Sequence, residues 1–122
     1  NWSDFYVSRY ACAHPWEDWA ETWAHYLHMM DTLDTAYHAG IKMQGQHTID
    51  PDINFKEPPL LSHDFEQTLS NWFALTYILN GLNRSMGQED AYPFTLSGIV
   101  LSKLHFIHRS LLDIHQRIIH AR

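Results

Sequence analysis

Apolar and polar positions recur with a helical period in three long stretches of this chain, and no stretch alternates convincingly like a strand. The first stretch runs from Pro15 to Ala39. At about 100° per residue, Trp16, Trp19, Trp23, Tyr26, Leu27, Met30 and Leu33 gather on one side of the predicted helix. His14, Glu17, Glu21, His25 and His28 fall together on the other. Pro15 suits the first helical position, and Gly40 is a natural stop. The spacing of Trp2, Phe5, Tyr6 and Tyr10 suggests a short helical lead-in over Ser3 to Ala11.

The second stretch, His63 to Arg84, places Phe65, Leu69, Trp72, Thr76 and Leu79 on one face, with Ser62 as a cap; Gly81 weakens it and Gly87 ends it. Thr95 or Ser97 caps the third, which reaches His120. Its stripe of Val100, Leu104, Ile107, Leu111, Ile114 and Ile118 has the alternating spacing of a helix packed lengthwise on another. Between the first two helices lie Gly40, Gly45, Asp50-Pro51-Asp52 and Pro58-Pro59, a connection far longer than usual. The expected fold is all-α: a small bundle of three main helices, about 15–39, 63–84 and 96–120, with a long 40–62 loop, in a single domain over 1–122.

A chain of 122 residues with 45% apolar content can bury a real core. A net charge of −6 with eight Lys and Arg, none clustered, argues against nucleic acid and anionic membrane surfaces as partners. No apolar run approaches a membrane span, and the opening residues do not show the basic-then-apolar pattern expected of a signal sequence. The single Cys12, among small residues, is expected to be a buried inert thiol; its solitude agrees with a reducing compartment, and a cytoplasmic location is expected. The first residue is not Met and the helical spacing starts at once, so a piece of a longer protein is expected.

Carboxylates and imidazoles on one strip are the raw material of a metal or acid/base site. Each also has a plain structural reading. Glu17 can close a capping box with His14, and Glu21 with His25 can be a surface i, i+4 pair. Glu21 lies beyond capping range, and stacking it on Glu17 costs repulsion that a cation would relieve. His25 and His28 have a spacing that can clamp a metal in carboxylate-bridged bundles, for which Glu66 is the candidate carboxylate on the later helices. His105, His108 and His115 read as core-edge histidines, and the tryptophans as core or interface mass. The chain has no HExxH, no glycine-rich phosphate loop and no local signature of Ser/His/Asp or Cys/His catalysis.

The run His14-Pro15-Trp16-Glu17-Asp18-Trp19-Ala20-Glu21-Thr22-Trp23-Ala24-His25-Tyr26-Leu27-His28, followed by Asp31-Thr32-Leu33, resembles the C-terminal signature of a bacterial family of putative zinc-binding metallopeptidases. A second block, Leu82-Asn83-Arg84-Ser85-Met86-Gly87, then Tyr92-Pro93-Phe94-Thr95-Leu96-Ser97 and Lys103-Leu104-His105-Phe106-Ile107-His108, is similar to that family's terminal segment. The resemblance implies the C-terminal part of a longer gluzincin-like protein, whose upstream zinc ribbon and HExxH region would be its partners and a peptide its substrate. Related zinc peptidases take two histidines and the general base from HExxH and a third ligand from a glutamate on a later helix. That later helix often reads Glu-x-aromatic-Ala-Glu, here Glu17-Asp18-Trp19-Ala20-Glu21. The resemblance therefore implies Glu17 as third zinc ligand and Glu21 as the acid orienting it or its partners, with the reverse assignment open and His14, His25 and His28 as further candidates. It implies zinc in the full-length protein, no catalytic residue within this chain and no activity for this part alone. The alternative is a helical protein-interaction module, or a homo-oligomer, joined through exposed apolar faces.

Overall fold

The computed structural model describes residues 1–47 and 52–121. It is all-α with three main helices: α1 is Pro15–His38, α2 is Phe65–Ser85 and α3 is Gly98–His120. Among the described residues, the one extended pairing is an isolated bridge between Met43 and Ile53. No helix among them is long and apolar enough to cross a membrane.

Local chemistry explains the helix ends. His14 is extended, its carbonyl accepts from the Asp18 amide at 3.0 Å, and its Nδ1 accepts from the Trp16 amide at 3.1 Å. The imidazole therefore performs the capping that the sequence suggested Glu17 would share. At the other end Gly40 turns to φ 73°, and the Ile41 amide donates back to the Ala36 carbonyl at 3.0 Å. Gly87 closes α2 in the same way, at φ 77° with Gln88 bonded to the Asn83 carbonyl at 2.8 Å. The cap of α2 is Asp64, whose carboxylate accepts from the Gln67 amide at 3.1 Å. Ser62, expected in that role, lies two residues back and accepts from the Asp64 amide. Of the two caps considered for α3, Ser97 serves, accepting from the Val100 amide at 3.3 Å.

The chain divides into two compact units, Asn1–Met30 with Phe94–Arg122, and Asp31–Pro93. In the first, Val7, Ala11, Tyr26, Met29, Met30, Val100, Leu104, Ile107 and Leu112 form the core, with His108 and Thr22 as buried polar members. The lead-in is not a helix over 3–11 but two short 3-10 turns, Trp2–Asp4 and Tyr10–Ala13, with Val7 and Ala11 buried in this core. Lys103 holds the segment down: its Nζ donates to the Phe5 carbonyl and to Asp18 Oδ2 at 3.0 Å, and lies over the Tyr6 ring. Cys12, expected to be buried, is exposed, with its Sγ donating to the Arg9 carbonyl at 2.8 Å.

Two expectations about buried faces fail for one reason: the apolar stripes outrun the elements that cover them. Trp16 is 74% exposed, Trp19 61% and Leu27 53%, whereas Thr22, Tyr26 and Met29 take the buried side of α1. On α3 burial stops at Leu112; Ile114 and Ile118 are exposed, as is every described residue from 113 to 121.

The second unit packs Leu33, Ala36, Ile53, Phe65, Trp72, Ala74 and Leu75. The described residues of the long connection are tied by hydrogen bonds. Met43 and Ile53 exchange two backbone hydrogen bonds, and the Asn71 side chain accepts from the Asn54 amide and donates to its carbonyl, both at 3.1 Å. Pro59–Leu61 adds a 3-10 turn. The Asp50-Pro51 part of the breaker lies outside the described residues. Among those described, no buried side-chain nitrogen or oxygen lacks a hydrogen-bond partner.

Candidate functional site

The acidic strip sits on the first three turns of α1, within the first unit. Glu17, Asp18 and Glu21 are close in sequence but differ in their commitments. Asp18 is neutralised by Lys103, at 3.0 and 3.1 Å, and accepts from the Thr22 hydroxyl at 3.3 Å. Glu21 is half-buried and accepts from the Ser8 hydroxyl at 2.9 Å. Glu17 is half-buried as well, yet makes no hydrogen bond or ion pair among the described residues. A carboxylate that loses water without gaining a donor is a poor structural element, and its charge is available to a cation.

The imidazoles divide in the same manner. His25 stands edge-on to the Phe94 ring, with centroids 4.6 Å apart. Burial pulls its pKa below the ordinary imidazole value; the nearby Glu21 carboxylate opposes that shift, and His28 adds to it. Glu21, His25 and His28 therefore form one electrostatic neighbourhood. His28 is exposed, and His14 is exposed and spends its Nδ1 on the helix cap. Of the third-helix histidines, His108 is fully buried and hydrogen-bonded to Tyr26, while His105 and His115 are exposed.

Among the described residues, no group of three or more His, Cys, Asp or Glu is placed to hold a metal ion. The donor chemistry fits one edge of a zinc site: an anionic oxygen on Glu17 and a second, oriented carboxylate one turn later. Ser8 escaped the sequence reading. It lies thirteen residues from Glu21 in a stretch read as helix, and no local pattern signals the contact.

On a different face, Trp19, Trp23, Ile99, Phe106 and Ile107 line a groove of about 520 Å³ between α1 and α3. The Asp18 and Lys103 pair lies at its edge.

The chain belongs to the family described as putative zinc-binding metallo-peptidase, whose model matches residues 1–110. It is similar to the uncharacterized proteins Mb2598c of Mycobacterium bovis and Rv2568c of Mycobacterium tuberculosis, at 45% identity over 107 residues. The match covers 88% of this chain and 29% of each relative, so the chain spans less than a third of their length. No solved structure matches it.

Proposed function

We propose that this chain is the C-terminal helical part of a zinc-dependent peptidase, contributing Glu17 as third zinc ligand and Glu21 as the acid that orients the ligand set. The observation that carries the reading is the contrast between neighbouring acids: Asp18 is consumed by Lys103 and Glu21 is held by Ser8, while Glu17 is half-buried with no donor. The family's description as zinc-binding supports zinc as the metal.

When bound, zinc polarises a scissile carbonyl and lowers the pKa of a water molecule. The tasks of this chain are simpler. Glu17 offers one negative oxygen in the first turn of α1, at the end of the helix where a negative charge is favoured. Glu21 keeps one oxygen on Ser8, and its other oxygen is available to accept an imidazole N–H from a ligand. The buried Tyr26, Met29 and Met30 fix the rotation of α1 about its axis, so both acids keep their bearing. A general base and two further ligands belong to an HExxH helix elsewhere in the longer protein.

The test is peptide hydrolysis by the intact protein. Activity lost to a chelator, restored by zinc and absent in Glu17→Ala supports the reading, and activity indifferent to both sinks it. A second reading, a helical interaction module, draws on the apolar groove and on the exposed Trp19 and Phe106.

A further inference from the structure

We infer that Ser8 is a positioning residue for the acidic strip, fixing Glu21 through a hydroxyl whose hydrogen has one available direction; the inference rests on the reading of Glu17 and Glu21 as site carboxylates. Ser8 is buried, 8% exposed, between the two 3-10 turns. Its Oγ accepts from the Ala11 amide at 3.2 Å and lies 2.9 Å from Glu21 Oε2. A serine hydroxyl has one hydrogen. With the Ala11 amide donating into the oxygen, that hydrogen goes to the carboxylate.

The oxygen is itself well anchored. Val7 and Ala11, on either side, are 1% and 0% exposed. The segment ahead is tied by Lys103 to the Phe5 carbonyl and by the Ser97 hydroxyl to the Asp4 carbonyl at 2.8 Å. Ser8 is therefore a fixed donor addressing a flexible acid, and the bond selects one rotamer of Glu21 while its second oxygen keeps no partner among the described residues. That division suits an acid orienting a ligand and leaves Glu17, one turn earlier, as the coordinating carboxylate. Supporting contacts outside the ligand set typically carry tenfold to hundredfold effects on metal affinity.

The experiment measures zinc affinity of the intact protein by chelator competition, alongside thermal stability of the metal-free form, for Ser8→Ala, Ser8→Cys, Ser8→Thr, Ser97→Ala, Glu21→Gln and Glu17→Ala. Weakening of about tenfold in Ser8→Ala, a smaller loss in Ser8→Cys and recovery in Ser8→Thr are expected. Ser97→Ala, which removes the α3 cap and the tie to the Asp4 carbonyl, is expected to lower stability and to weaken zinc affinity less than Ser8→Cys does. Wild-type affinity in Ser8→Ala or Ser8→Cys, with affinity reduced in Glu21→Gln and Glu17→Ala, overturns the role of Ser8 alone. Equal weakening in Ser97→Ala and Ser8→Cys also overturns it, by reducing the effect to stability. Unchanged affinity in Glu17→Ala and Glu21→Gln overturns the underlying reading.

Discussion

Tyr26 on α1 and His108 on α3 share a hydrogen bond of 2.8 Å between Oη and Nδ1, with both residues essentially excluded from solvent. This contact sets the register of the two helices in the first unit. Tyr26→Phe preserves the ring but leaves Nδ1 of His108 without that partner. A loss of about 1–3 kcal/mol is expected, read from the urea midpoint.

The same tyrosine predicts an alkaline transition. Burial pushes its pKa up to about 12, from an ordinary value of 10.0. Below pH 10 the phenol is neutral in both folded and unfolded chains, and its contribution is fully present. As pH rises from 10 toward 12, the unfolded chain ionises first and stability falls. Tyr92 behaves alike, also raised to about 12 by burial. Spectrophotometric titration should show two late tyrosines in the wild type and one in Tyr26→Phe.

Lys103 gathers the Phe5 carbonyl, the Asp18 carboxylate and the Tyr6 ring. Its replacement by Met keeps the aliphatic stem and removes all three polar contacts. Because the pair is partly exposed, a modest loss of about 1–2 kcal/mol is expected. Limited proteolysis should then cut within residues 1–9 faster than in the wild type.

For His25 the sign runs toward acid. Its pKa lies below the ordinary 6.5, chiefly through burial, so as pH falls through 6.5 the unfolded chain takes the proton first and stability drops. Proton-detected titration should place its midpoint below 6.5. Glu21→Gln, by deleting the carboxylate that favours the charged ring, should move it lower still.

Asn71 pairs through its side-chain amide with both backbone groups of Asn54, as a neighbouring strand would. Asn71→Ala should speed hydrogen exchange at the Asn54 amide by more than at the amide of Ile53, which the Met43 carbonyl still receives.

The helices were legible because period, cap residues and stop glycines agree locally: Gly40 and Gly87 sit where the chain needs a positive φ. Which face each helix buries was less legible. The wheel put Trp16 and Trp19 with Tyr26, but burial depends on what reaches that turn: Trp19 faces the open groove, and Trp16, outside its lining, is exposed as well. The stripe on α3 failed beyond Leu112 for the same reason. Within the acidic strip, sequence singled out Glu17 and Glu21 by spacing and resemblance. It could not separate Asp18, Glu17 and Glu21 by their partners, since Lys103 and Ser8 arrive from 85 and 13 residues away.

The central claim is that Glu17 coordinates zinc in the longer protein. The most direct measurement is the zinc-to-protein ratio of purified intact protein, wild type against Glu17→Ala, with folding checked by circular dichroism. Stoichiometric zinc in the wild type and its loss from a folded Glu17→Ala variant are predicted. A folded variant that retains the full complement of zinc would contradict the account.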